Sequence, residues 1–79
     1  MISPVPNKGQ FELIIKLDQK ADVEVSIYGL SQTNLLQRLE GKSRYTYQFD
    51  IDLGDVTPGI YLVVTRSGKS TKVNKIIVR

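Results

Sequence analysis

The chain has 79 residues, with 11 Lys and Arg against 8 Asp and Glu for a formal charge of +3, and no His, Cys or Trp. That is room for one small domain, burying only about 60–65% of its unfolded surface around a thin core. The missing residue types exclude Ser-His-Asp and Cys-His nucleophile systems, an ordinary zinc site, a haem-ligating His and a disulfide scaffold, and no cofactor is implied. With 41% apolar and 24% charged residues the composition is globular. The lack of Cys fits either a reducing compartment or a β-domain that avoids thiols during export. No run approaches the ~18 apolar residues of a membrane-spanning helix. Met1-Ile2-Ser3-Pro4-Val5-Pro6-Asn7 has neither the basic nor the apolar region of a signal peptide, so any export signal lies elsewhere.

The dominant hydrophobic period is two. Phe11, Leu13, Ile15 and Leu17 share one parity and predict a half-buried strand, with Ile14 interrupting the alternation. Asp18 to Asp22 is a polar turn, after which Val23, Val25 and Ile27 alternate with Glu24, Ser26 and Tyr28. These two runs are expected to be consecutive antiparallel strands joined by a short connection. Gly29 to Asn34 is turn-rich. Leu35, Leu36 and Leu39 fit a helical stripe as well as a strand, and the strand is favoured because the segment is too short for an independent helix. Gly41-Lys42-Ser43 is expected to turn the chain again. Tyr45, Tyr47, Phe49, Ile51 and Leu53 then share a face opposite Thr46, Gln48, Asp50 and Asp52. Pro58-Gly59 marks a reversal before the β-branched run Ile60 to Thr65, which reads as a central strand covered on both faces. Ser67-Gly68 makes a tight hairpin into a last strand from about Lys69 to Arg79. The six glycines all fall at predicted turns, as positions that need positive φ, and no phosphate-cradling glycine motif is present.

Six to seven short strands with polar turns between them predict an all-β fold, an antiparallel β-sandwich. Pro58-Gly59-Ile60-Tyr61 sets a Tyr just after a turn, at the start of a strongly apolar strand. In immunoglobulin-like sandwiches such a Tyr forms a corner, its phenol bonding to backbone a few residues upstream, here Leu53 to Thr57. The competing reading is an ordinary half-buried strand aromatic. The expected fold is therefore immunoglobulin-like, over residues 9–79, with residues 1–8 as a linker.

Few residues point to chemistry. Asp50 and Asp52 lie two apart on one strand face with Asp55 in the turn beyond, a geometry open to acid–base work or Ca²⁺. Without a calcium loop or supporting cluster they read as the solvent face of a strand, and no enzyme is expected. The charge distribution is more informative. Residues 1–65 hold six basic and eight acidic side chains, whereas residues 66–79 hold Arg66, Lys69, Lys72, Lys75 and Arg79 and no acid. Nucleic acid is not the expected partner, because no aromatic interleaves with these cations as a stacking platform. Two readings stay open: a Lys-studded terminal strand that resists edge-to-edge pairing, or a docking strand. In the second, Lys72, Lys75 and Arg79 supply charge while Ile76 and Val78 hold the strand in register.

In this order the features resemble the type A C-terminal sorting domain of the type IX (Por) secretion system. The resemblance runs from Pro4 to Arg79: the Pro4-Val5-Pro6-Asn7 opening, Gly9-Gln10-Phe11, the strand Val25-Ser26-Ile27-Tyr28, Ile51-Asp52-Leu53, Gly59-Ile60-Tyr61-Leu62-Val63, and the ending Asn74-Lys75-Ile76-Ile77-Val78-Arg79. Its signature positions are Phe11, Tyr28, Gly59 and Tyr61. The family usually opens Pro-Asn-Pro, and commonly follows the first Tyr with Asp and a later Gly, where this chain has Gly29 and Gln32-Thr33. The resemblance implies a non-catalytic secretion signal behind an upstream cargo domain, folded in the periplasm and read by an outer-membrane translocon and sortase. Cleavage would fall at or upstream of Pro4. The cargo would be attached to anionic lipopolysaccharide at the cell surface, or released. Recognition would involve Lys72, Lys75, Ile76, Ile77, Val78 and Arg79, and an edge-strand homodimer is a further possible partner state. The rival reading is an accessory adhesive or carbohydrate-binding immunoglobulin- or fibronectin-like module of a secreted hydrolase. Such a module displays exposed aromatics, and only Tyr28 is a candidate by parity.

Overall fold

A computed structural model describes residues 2–3, 8–30 and 34–79. The Pro4-Val5-Pro6-Asn7 opening and the Gln32-Thr33 positions lie outside the described residues. Five strands follow in chain order: β1 (Ile2–Ser3), β2 (Gln10–Gly29), β3 (Leu35–Asp52), β4 (Gly59–Ser67) and β5 (Ser70–Val78). All pairings are antiparallel within one hydrogen-bonded sheet. β1 pairs with β2, β2 with both β3 and β4, and β4 with β5. Ile2–Ser3 forms a two-residue strand, and Ile2 leans on the core.

Among the described residues there are four long strands and the short β1, rather than six or seven, because two expected turns are not chain reversals. The polar run Asp18 to Asp22 lies inside β2, and Gly41-Lys42-Ser43 lies inside β3. Contrary to the expectation from the sequence, the segments 11–17 and 23–28 therefore do not pair with each other. Both pair with β3, and the register shifts between Lys16 and Ala21 and again between Ala21 and Val23. A straight 20-residue strand would be about 65 Å long, whereas the whole molecule measures 36 × 22 × 16 Å. The β2–β3 ribbon must bend sharply, and the irregular register marks the place. Polar, turn-forming residues suit a bend as well as a reversal, so alternation alone did not separate the two.

The bend is held by specific contacts. The Tyr47 hydroxyl donates to the Ala21 carbonyl and accepts from the Arg44 N–H at 3.1 Å. An Asp22 carboxylate oxygen accepts from the Ser43 N–H at 2.9 Å, with Ser43 at φ 48°. Gly41 is not a positive-φ glycine, contrary to expectation. A Cβ there would sit 2.1 Å from Cε1 of Tyr47, so its missing side chain is the space the ring fills. Tyr47 in turn stacks on Phe49, with ring centroids 5.9 Å apart. Gly29, also not at positive φ, lies beside the Tyr61 ring, where a Cβ would be 3.5 Å from Cε2, an ordinary contact.

Phe11 and Leu13 of β2 and Ile51 of β3, from one side of the bend, share a single core with Val25, Ile27, Tyr61, Val63, Ile76 and Val78 from the other. Ile27, Ile76, Val25 and Val63 are fully buried, each stabilising the fold by about 1.5–3 kcal/mol relative to exposure. The Leu35–Glu40 segment is strand, as favoured from the sequence. β4 lies between β2 and β5, central as expected, but only one of its faces is covered: Tyr61 and Val63 are buried, whereas Ile60 is exposed and Leu62 and Val64 are half-buried. The Ser67–Ser70 hairpin closes with Gly68 at φ 60°.

Candidate functional site

β5 is paired along its whole length with β4, from Ser67↔Ser70 to Gly59↔Val78. Its other edge carries no strand among the described residues, so its outward backbone groups stand where a further strand could add. Strand alternation divides its side chains between two faces. Ile76 and Val78 point into the core, whereas Val73, Lys75, Ile77 and Arg79 stand exposed on the outward side. The terminal residues singled out from the sequence are therefore split. Ile76 and Val78 anchor the strand, while Lys75, Ile77 and Arg79 face solvent together. Lys72 has the inward parity and opens onto a groove bordered by Leu13, Ile15 and Leu17, apart from Lys75 and Arg79.

Cross-strand pairing extends the outward face onto β4. Ile60 lies opposite Ile77, Leu62 opposite Lys75, and Val64 opposite Val73. On the far side of β4, Tyr28 lies opposite Leu62 and Ser26 opposite Val64. Val73, Ile77 and Ile60 are 57%, 47% and 41% exposed. Sequence reading missed Val73 and Ile60. Their signal was the apolar–cation alternation Val73-Lys75-Ile77-Arg79, legible once the parity of Ile76 is known.

The electrostatics of the two ends differ. Arg38 joins Glu24 and Glu40, each at 2.8 Å, and Lys42 approaches Asp22 at 3.7 Å. These pairs are solvent-exposed, so their effect on stability is small, but they occupy Asp22, Glu24 and Glu40. Among the described residues, Arg66, Lys69, Lys72, Lys75 and Arg79 make no ion pair, leaving the β5 end with unneutralised positive charge.

The other candidates have structural explanations. Asp50 and Asp52 are exposed, and Asp52 accepts from the Gly54 N–H at 2.8 Å, closing the turn after β3. The Tyr61 hydroxyl donates to the Thr57 carbonyl, inside the upstream stretch expected of a tyrosine corner. Phe11 is a core residue, and Gly59 begins β4 opposite Val78. Tyr28 is half-buried. Tyr45, assigned to the core by parity, is instead 52% exposed at the bend, with the Lys20 ammonium 5.9 Å from its ring centroid. No helix among the described residues is long and apolar enough to cross a membrane.

A family model for the secretion-system C-terminal sorting domain matches residues 1–79, the whole chain. No curated protein and no solved structure matches it.

Proposed function

The chain belongs to the secretion-system C-terminal sorting domains, and from that premise we propose that it is a non-catalytic address label, read as a folded module by the type IX outer-membrane translocon and sortase. Type IX sorting implies export to the cell surface or the extracellular space, a secretion machinery as partner, and a cargo on the same chain. In our reading the module passes through the periplasm behind its cargo, with residues 9–79 as the sorting domain and a cleavage point at or before Pro4. We also read the fold as an immunoglobulin-like sandwich. Divided at the bend, β2 and β3 give two segments each, and with β1, β4 and β5 these make two layers around the shared core.

The observation that carries the functional reading is the family match over the full chain. The placement of β5 supports the recognition step: an ordered strand with one open edge and cations lacking acidic partners offers main-chain pairing and electrostatic steering together. Lys72, Lys75, Ile77 and Arg79 are the contact residues in this reading, with Ile76 and Val78 holding the strand in place. The accessory-module alternative has Tyr45 as its one strongly exposed aromatic among the described residues, and Lys20 already lies over that ring.

The test is a reporter with its own periplasmic targeting signal, followed by this chain, in a type IX-competent host. Export that requires both the 79-residue module and a working translocon is expected. Export indifferent to either one overturns the reading.

A further inference from the structure

We propose that the outward face of the β4–β5 hairpin, built from Ile60, Leu62, Val73, Lys75, Ile77 and Arg79, is a docking surface for a protein partner whose contact patch is apolar with carboxylates at its rim. The proposal rests on the sorting reading above and names the surface and the chemistry of its partner.

A terminal strand shaped only to resist aggregation would present polar side chains to water. This one presents Val73 and Ile77, and β4 adds Ile60 directly opposite Ile77. The apolar strip continues through Leu62 and Val64 to the half-buried Tyr28. Contiguous apolar surface of this kind on a small domain marks an interaction site more often than chance exposure. The charge that β5 contributes to it has one sign. Lys75 and Arg79 lie within the strip, Arg66 stands on β4 between Thr71 and Glu24, and none of the three makes an ion pair among the described residues. Glu24 and Glu40, on the same side of the sheet, are engaged by Arg38, and Asp55 borders only the Ile60 end. A complementary surface is thus apolar at its centre and acidic around it.

A protein fits better than an anionic lipid surface. Membrane-surface segments use protruding Trp, Phe or Leu and clusters of about 4–8 cations. This face is a flat array of mainly β-branched side chains with two cations on β5, a shape that suits packing against another protein surface.

The experiment uses the reporter fusion with the complete chain. Val73→Thr/Ile77→Thr keeps β-branching and leaves Ile76 and Val78 untouched, so urea unfolding of the variant should match wild type. A photo-crosslinking residue is placed at position 73 and, as control, at position 46, an exposed site on the other half of the β2–β3 ribbon. The expected result is export reduced at least about tenfold in the double variant and in Lys75→Glu, with a translocon-dependent crosslink from position 73 and none from position 46. Wild-type export of both folded variants overturns the docking face. If removal of the whole module also leaves export unchanged, the sorting reading itself fails, so the two failures are distinct. Binding of the purified chain to phosphatidylglycerol vesicles that is lost in the double variant, without a protein crosslink, assigns the face to lipid and overturns the protein partner. A crosslink only to a second copy of this chain overturns it equally.

Discussion

Two tyrosines fix this fold, each by a ring packed beside a glycine and a hydroxyl bonded to backbone, and Tyr47 alone fills the space a missing side chain leaves. Tyr47 lies over Gly41 at the bend, and Tyr61 lies against Gly29 beside the β4 entrance, each hydroxyl bonded to a backbone carbonyl. Tyr61→Phe removes the bond to Thr57 and keeps the ring, so a loss of about 1 kcal/mol is expected. In a domain of this size that is roughly 4–8 °C in thermal midpoint, read by a melting curve. Gly41→Ala is more damaging than its chemistry suggests. Its methyl would overlap a ring that is hydrogen-bonded and stacked on Phe49, for a penalty of about 1–3 kcal/mol. Replacing Tyr47 by Leu should relieve much of that penalty, and urea titrations of the two single variants and the double variant would show the coupling. The Tyr61 arrangement was legible in Pro58-Gly59-Ile60-Tyr61, because the turn and the aromatic are neighbours in sequence. The Tyr47–Gly41 contact was not, because Gly41 read as a turn glycine and nothing local announces a ring arriving from six residues away.

At the level of strands, period-two alternation located the extended segments that carry the core, since inward and outward residues must differ wherever one face is buried. It did not tell a corner from a reversal. Both need polar, flexible residues, and Asp18 to Asp22 and Gly41 to Ser43 supply them for either. The outcome depends on pairing partners far along the chain: Phe11 meets Ile51 while Val25 meets Leu39, so the two strands turn together. Tyr45 falls just past this bend, where parity no longer predicts burial, and it is exposed. The division of β5 has a practical result. Deleting Lys75 to Arg79 removes the fully buried Ile76 and the buried Val78, so loss of export after such a truncation would report unfolding. Ile76→Ala alone should cost about 2–5 kcal/mol, a large share of the 5–15 kcal/mol typical of whole domains. Val73→Thr should stay within about 0.5 kcal/mol. Chemical denaturation of both variants checks the contrast.

For the molecule as a whole, the uneven charge governs how copies meet. Antiparallel pairing of one β5 with another would complete the sheet across two molecules, yet it would set Lys72, Lys75 and Arg79 against the same cations. Any self-association through that edge should therefore be weakest at low ionic strength. It should rise as the screening length falls from about 30 Å near 0.01 M salt toward 3 Å near 1 M. Sedimentation across that range tests it, and a dimer strongest at low salt would mean the edges do not meet this way. Association with an acid-rimmed partner should show the opposite trend.

The alternation along β5 joins two requirements that might have been kept separate. Ile76 and Val78 of the hairpin's final arm are needed to assemble the interior, and Lys75, Ile77 and Arg79 beside them take their outward positions only once that assembly has happened. A chain that stalls before folding cannot display the face, and neither can one that loses its tail. A receptor selecting that face would inspect the integrity of its passenger's label at the moment of reading it, without a separate checkpoint.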